Sequence, residues 1–506
     1  MSRLHSCCFR PLSRLLCCLL VAVASSARAA DTAVPNTGAA AQNPAFLNGG
    51  PASPMQNPVN EGNLAGIYQL AVANDFTIAQ AGAQRRADSQ QRWLGLAPLL
   101  PNVTLRYSTA EIDNDSSGVS LFGATAFIND TKTIITNDTW TLSLSQPLLD
   151  IPAWFNFRQG MEQTRQAQVR FALAQQNLLQ RSVEAFLAVI RAEANLQASQ
   201  AQGEALERQL EQMNERFDVG LVAITDVLDA QASYDQAAAQ LIRDEGALET
   251  AREQLTVITG QPVTDSLWQF RDDFPVLTPE PADSGEWAQF ARNNNLDIAV
   301  ANHAVEVARL GKRSAASDHL PTISLSFSVT DSESDFDQTN FLTGIRRITP
   351  NDSETDNLSI TLSIPLPSGG RVSAARRQAG ANLELQRGAY LDTVRQTSQQ
   401  TQTAFLQART NANRVRANER VVASSESAME AAQIGFEVGT RNIVDVLNAI
   451  QTAAAAQRDY KNSILDYVSS VIELKRLAGT LNPGDIYSLN NWLEKPEPAT
   501  QTAQLP

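Results

Sequence analysis

Apolar and polar positions along this chain follow two periods. Four segments alternate strictly: Val103, Leu105, Tyr107; Trp140, Leu142, Leu144; Ile323, Leu325, Phe327, Val329; and Leu358, Ile360, Leu362, Ile364, with mostly Ser and Thr between. Successive side chains of a strand point to opposite faces, so each segment predicts a strand with one apolar and one small polar face. A half-buried sheet on a soluble core is the commoner source of such alternation. Here the polar positions are hydroxylic rather than charged, and each strand approaches the ~9–11 residues of a tilted membrane-spanning strand. The pattern predicts strands over 101–112, 138–147, 321–331 and 357–365, with long Asp-, Asn- and Ser-rich loops at 110–137 and 331–356 suited to an outer face. Four strands cannot close a barrel, and an open edge in lipid leaves backbone groups unsatisfied at several kcal/mol each. Sister copies must complete the sheet: two give eight strands filled by side chains, three give twelve with room for a passage.

The second period is seven. Positions 227, 234, 241, 248 and 255 hold Val, Tyr, Leu, Leu and Leu, and 446, 453, 460, 467 and 474 hold Val, Ala, Tyr, Tyr and Leu. That spacing is the coiled-coil repeat. The companion positions 230, 237, 251, 449 and 456 are all Ala, so the seams are narrow, and Tyr234, Tyr460 and Tyr467 are expected to pack within them. Leu206, Leu210, Met213 and Phe217 continue a seam up the preceding helix. The stretch 153–217 alone spans nearly 100 Å at a rise of ~1.5 Å per residue, too long for a globular core.

The two periods recur because the chain repeats itself. FDVGLVAITDVLDA at 217–230 realigns with FEVGTRNIVDVLNA at 436–449, PNVTLRYS at 101–108 with PTISLSFS at 321–328, and LSLSQPL at 142–148 with ITLSIPL at 360–366. Each half reads strand, strand, long helix, turn, long helix, and a repeat of this size governs the fold. The first repeat is expected over 61–260, with helices 61–97, 153–217 and 225–260. The second is expected over 296–479, with helices 296–317, 371–436 and 444–479. Gly220 and Gly439 fall where a long helix must end and reverse, which glycine allows at little steric cost. Pro147 and Pro152 in the first half, and Pro365, Gly369 and Gly370 in the second, are expected to bend strand into helix.

Composition narrows the classes. Residues 1–29 read as an export signal: Arg3, Arg10 and Arg14, an apolar run from Leu15 to Ala24, and Ala27-Arg28-Ala29 as a cleavage site. All four cysteines (Cys7, Cys8, Cys17, Cys18) lie inside it, which leaves no disulfide or thiolate metal site beyond. Leu16 before Cys17 argues against a lipid anchor. The signal takes four of the 40 basic residues and none of the 54 acids, so the exported chain carries a net charge of about −18, against nucleic acid as a partner. Beyond the signal no apolar run approaches the ~18 residues of a spanning helix. Any membrane crossing therefore falls to strands. Residues 30–60, rich in Pro, Asn, Gly and Ala, read as a mobile leader.

FDVGLVAITDVLDAQ (217–231), FEVGTRNIVDVLNA (436–449), PLPSGGR (365–371) and LAGTLNPGDIYSLNNWLEKP (477–496) together resemble the TolC family of outer-membrane channel-tunnels, over nearly the whole chain from about Glu61. The resemblance implies a mixed α and transmembrane β fold: a homotrimer whose twelve-stranded β-barrel sits in the outer-membrane lipid of a Gram-negative bacterium. A helical barrel would continue it across the periplasm, with 261–295 and 480–506 as equatorial segments. It implies a duct for drug efflux or type I secretion, docked through a periplasmic adaptor (a membrane fusion protein) on an inner-membrane pump of ABC, RND or MFS type. It places the turns at the periplasmic mouth, so that Val219, Gly220, Leu221, Val438, Gly439 and Thr440 would be gripped by the adaptor. Asp445 and Asn448, three apart on one helix face, would line the closed entrance, with Asp445 a ring under threefold symmetry. Such a ring binds cations and raises the proton affinity of its members. The family commonly has a second acid where this chain has Asn448, and a single ring holds multivalent cations less tightly. Arg441, matched by Val222 in the first repeat, would bond to Thr225 and Asp226 and latch the entrance; the family's usual tyrosine partner for that aspartate is here Phe436, which cannot donate a hydrogen bond.

Read without the resemblance, Asp445 is a solvated acid near a helix start, where the dipole favours it, and the turn glycines are caps. His303 and His319 are the only histidines beyond the signal, and no catalytic, metal-ligand or cofactor pattern is present. A soluble periplasmic coiled-coil adaptor or scaffold would explain the rods but not the strands.

Overall fold

The computed structural model describes residues 62–122, 125–262, 267–271, 273–366 and 369–495. All belong to one compact unit, Ala52–Pro506. The expected export signal (1–29), the leader (30–60) and the tail (497–506) lie outside the described residues.

The chain opens with α1 (Leu64–Asn74), α2 (Phe76–Ser89), α3 (Gln91–Leu96) and a 3₁₀ turn (Ala97–Leu99). One helix was expected over 61–97; Asp75 divides it, its carboxylate accepting from Ile78 N at 2.9 Å and so starting a new helix. Then come β1 (Asn102–Phe122), β2 (Thr125–Leu149), α4 (Ile151–Asp218) and α5 (Ile224–Thr259). A connecting stretch holds β3 (Gln269–Phe270) and α6 (Ser284–Asn294). The second half repeats the plan: α7 (Leu296–Ser317), β4 (Thr322–Asn340), β5 (Ile345–Ser363), α8 (Arg371–Glu437) and α9 (Ile443–Leu477), closed by α10 (Pro483–Asn490) and β6 (Leu493–Glu494), which pairs with β3.

The long strands form one antiparallel sheet in the order β1-β2-β4-β5. They run far past the expected ends: the segments 110–137 and 331–356, expected as loops, are strand almost to their tips, with Phe122 paired to Thr125 and Asn340 to Ile345. Asp, Asn and Ser have low strand propensity, but propensity yields to pairing. Here cross-strand ion pairs reinforce the ladder, Lys132 with Asp113 at 2.7 Å and Arg346 with Asp337. The single register shift between β2 and β4 falls at Pro147/Leu149, where proline offers the ladder no N–H.

Strand passes into helix differently in the two halves. Asp150 caps α4, its carboxylate accepting from Ala153 N at 2.9 Å, with Pro152 in the first turn where no N–H is needed. In the second half Gly369 and Gly370, with φ of 56° and 81°, lead into α8. The helices pack along the expected seams. Val227, Ala230, Ala237, Leu248, Ala251 and Leu255 are buried on α5, as are Val446, Ala453, Ala456, Tyr467 and Leu474 on α9. The largest core joins α4, α5 and α9 with α1 and α10 around Phe186, Leu179, Val183 and Leu255, all fully buried. Tyr467 does more than fill its seam: its hydroxyl donates to Leu277 O at 2.7 Å and accepts from Leu277 N at 3.2 Å, fastening the connecting stretch to α9.

Candidate functional site

The sheet sorts its residues by face. Cross-strand partners share a face, and the register sets Val103 opposite Leu144, Leu105 opposite Leu142, Leu144 opposite Phe327 and Leu325 opposite Ile360. All the apolar residues of the four strands' lower halves therefore lie on one side. Those of the edge strands are exposed, Leu105 at 67% and Leu358 and Ile360 at 69%, while Leu142, Leu144, Leu325 and Phe327 on the inner strands are half-buried. The other side carries hydroxyls that bond laterally, Thr104 to Ser143 at 2.6 Å and Ser326 to Ser359 at 2.7 Å. An aromatic pair closes the apolar band above, Tyr107 and Trp140 with centroids 4.6 Å apart and the Tyr107 hydroxyl donating to Asp138 at 2.9 Å. Just past its other end, Trp154 in the first turn of α4 is half exposed beside Phe157, with ring centroids 5.8 Å apart. Amphipathic rings at both margins of an apolar band suit the two surfaces of a bilayer. Within the chain β1 and β5 each have one unpaired edge.

The opposite end is built from two turns of one design. Gly220 and Gly439 have φ of 76° and 77°. Gly220 N donates to Phe217 O and Leu221 N to Arg216 O, each at 2.8 Å, and Gly439 N and Thr440 N repeat the pattern on Phe436 O and Gly435 O at 3.1 and 2.8 Å. The tips display apolar surface, with Val219, Leu221 and Val438 exposed at 70%, 74% and 69%. Behind them Leu206, Met213, Val227, Ile443, Val446 and Leu447 form a buried cluster that joins both helical hairpins.

Of the proposed latch, the single chain brings together only part. Asp226 accepts from Ala223 N at 3.2 Å and so caps α5, while Thr225 and Arg441 are exposed and, among the described residues, no bond joins Arg441 to either. Arg441 instead folds back along its own turn, its Cγ and Cδ lying 3.1 and 3.2 Å from where a Gly435 Cβ would stand. Phe436 meets a different cation: the Arg216 guanidinium sits 5.0 Å from its ring centroid, a cation–π contact between the ends of α4 and α8. Sequence reasoning passed over both Gly435 and Arg216. The signal was available in the repeat alignment, since the second repeat exchanges Arg216 and Val222 for Gly435 and Arg441. Asp445 and Asn448 are exposed one turn apart on α9, where Asn442 caps the helix by accepting from Asp445 N at 2.8 Å.

Between the two ends, α4 and α7 are joined by a hydrogen-bonded knot missed in the sequence. His303 Nδ1 donates to Glu162 Oε1 at 2.6 Å and Arg165 to Oε2 at 2.9 Å. The hydrogen bond from His303 holds the Glu162 carboxyl below the usual range, against the effect of burial and with Arg165 assisting. Farther down α4, burial pushes the Glu193 carboxyl up, only partly offset by Arg252 at 3.5 Å. No group of acids, histidines or cysteines able to hold a metal is present among the described residues.

The family model for outer membrane efflux proteins matches residues 67–261 and again 287–480, one match to each repeat. The chain is 31% identical to the outer membrane protein TolC of Vibrio cholerae serotype O1, over 85% of this chain and 94% of that one. It is 30% identical to the alkaline protease secretion protein AprF of Pseudomonas aeruginosa, over 83% and 85%. Among solved structures it resembles the Campylobacter jejuni CmeC outer membrane channel in fold, with a TM-score of 0.67 at 16% identity over 86% of this chain and 90% of that one. A doubled strand-strand-helix-helix plan, an exposed apolar sheet face and two matched glycine turns thus coincide with a match to each half, and the chain belongs to the outer membrane efflux protein family.

Proposed function

We propose that three copies of this chain join edge to edge, β5 of one to β1 of the next, to close a twelve-stranded barrel in the outer membrane, with α4, α5, α8 and α9 continuing the duct inward across the periplasm. The observation that carries this is a four-stranded sheet with two unpaired edges and an exposed apolar face, a surface stable only when the edges pair and lipid covers the face. Three copies rather than two leave a water-filled interior. The protein is an outer-membrane export channel; it performs no chemistry of its own and passes cargo handed to it by an inner-membrane pump. The exposed apolar tips at Val219, Leu221 and Val438, with Gly220, Gly439 and Thr440, are the surface offered to a periplasmic adaptor. Asp445, Asn448, Arg441, Thr225, Asp226 and Phe436 form the entrance, with Arg441 reaching Thr225 or Asp226 across the seam between copies.

Membrane extraction tests the assembly: the protein should require detergent and run as a trimer, and a stable monomer in plain buffer would sink the proposal. A deletion strain assayed in parallel for drug susceptibility and for secreted protein identifies the cargo. Secretion is favoured by the likeness to the protease secretion protein, efflux by the family as a whole.

A further inference from the structure

Acidic charge is divided between the two faces along the whole sheet, whereas hydrophobicity is divided only in the lower halves: Ile112, Ile135 and Phe336 form one row on the hydroxyl face. Every aspartate and glutamate of the four strands falls on the apolar side, at or above the upper edge of the apolar band: Glu111 opposite Thr136, Asp138 opposite Glu333, Asp331 opposite Trp140 and Asp356 opposite Val329 show the parity. The hydroxyl face has no acid among the described residues, and it has two cations. Arg106 stands between Leu105 and Tyr107, level with the apolar band and in register with Thr141, Thr330 and Thr355. Arg347 stands near the hairpin tip, opposite Gln338. The outward cations Lys132 and Arg346 are both paired with acids, whereas Arg106 and Arg347 are exposed and form no ion pair among the described residues. Closure of the barrel supplies none either, because the new neighbour of β1 is β5, whose hydroxyl face is equally free of acids.

On the reading of the hydroxyl face as the lumen, we propose that the barrel interior favours anions, with Arg106 the residue that draws cargo bearing carboxylate, phosphate or sulfate groups through the membrane-level wall. An unpaired guanidinium among hydroxyls inside low-dielectric walls sets up a positive potential in the passage. The acids, all on the outside, cannot cancel it at close range. The entrance carries the opposite sign at Asp445, so selectivity in the barrel must be read locally rather than from whole-channel conductance.

Thiol chemistry reads it locally. The only cysteines of the chain are Cys7, Cys8, Cys17 and Cys18, within the expected export signal, so the unsubstituted protein is the blank. Ser108→Cys places a thiol on the hydroxyl face two residues from Arg106, and Thr136→Cys places one on the outer face opposite Glu111. In proteoliposomes the trimer is labelled with anionic and cationic methanethiosulfonates of matched size. In the Ser108→Cys variant the anionic-to-cationic rate ratio, relative to a free thiol, should be raised about threefold at 0.1 M salt. That is the effect of one charge roughly 7 Å along the strand, acting with opposite sign on the two reagents. The ratio should fall toward one in 1 M salt and on adding Arg106→Ser, and should lie below one in the Thr136→Cys variant. In a protein that conducts in planar bilayers, a ratio at the inner thiol that ignores Arg106→Ser, or an inner thiol inert to both reagents, overturns the inference and leaves the channel standing. A protein that does not conduct overturns the channel reading itself.

Discussion

Replacing Arg216 by alanine removes the cation from the Phe436 ring, 5.0 Å from its centroid, and leaves the two helical hairpins joined through the apolar cluster of Leu206, Met213, Ile443 and Val446. Both partners are half-buried. A cation–π contact runs from ~0.5–1 kcal/mol in water to ~2 when desolvated, so about 1 kcal/mol per chain is expected here. In the proposed trimer, an entrance that opens by separating the two helical hairpins in three chains at once loses about 3 kcal/mol of closure, roughly a hundredfold in the closed-to-open ratio. Single-channel recording in planar bilayers reads this as time spent in the high-conductance state. Phe436→Leu keeps an apolar side chain and removes the ring, and the double variant should behave like either single one, because the contact is already gone. Phe436→Tyr keeps the ring face and should open no more readily than the parent. Parental open times in Arg216→Ala, or single-variant effects that simply add in the double variant, would refute the claim that this contact holds the entrance.

Gly220→Ala and Gly439→Ala should each cost about 1–2 kcal/mol per chain, seen as matching drops in thermal midpoint. Both glycines have φ near +76° and open space around a would-be Cβ, so backbone strain is the whole effect, and unequal drops would count against it. Glu162 has a native pKa below its unfolded value, so its stabilisation is complete above the ordinary carboxylate range of ~4.3 and is lost as pH falls through the native value. Glu162→Gln should lower the thermal midpoint at pH 7 and flatten its decline on the acid side; a decline as steep as the parent's argues against the His303 pairing. Arg441→Ala should raise single-channel conductance, and unchanged conductance removes Arg441 from the latch.

The sheet faces, the seams and both turns were legible in the sequence because each rests on a strong periodic signal or on a glycine in a repeated motif. Strand length was not. The outer halves of the hairpins alternate acids with hydroxyls instead of apolar with polar residues, a pattern that looks like loop until pairing partners such as Lys132 and Asp113 are known. The helix break at Asp75 was hidden for a similar reason, since one capping aspartate in a polar helical run has no periodic signature. At the entrance the resemblance directed attention to Arg441 and Phe436 but not to Arg216. That arginine lies one repeat away from Gly435, and only the meeting of the ends of α4 and α8 shows that its guanidinium reaches the ring.

With the hydroxyl face as the proposed lumen wall, it follows how such a wall can be polar without retaining what it conducts. A side-chain donor or acceptor left free in the passage would offer every passing cargo a hydrogen bond, and conduction needs binding weak enough to release. Thr104 with Ser143, Ser326 with Ser359 and Thr139 with Ser332 at 3.3 Å instead bond across the strands, which takes up one donor of each pair. Such pairs keep the wall wettable while reducing its hold on solutes. Two unpaired arginines on that face are then the exception that acts, because a full charge reaches over a Debye length of ~10 Å at 0.1 M salt where a hydroxyl acts only on contact. Replacing Thr104 and Ser143 together with valine removes a matched pair and leaves no orphan donor, so folding should survive. The same change dries one row of the wall, and conductance should fall although no charge has been altered.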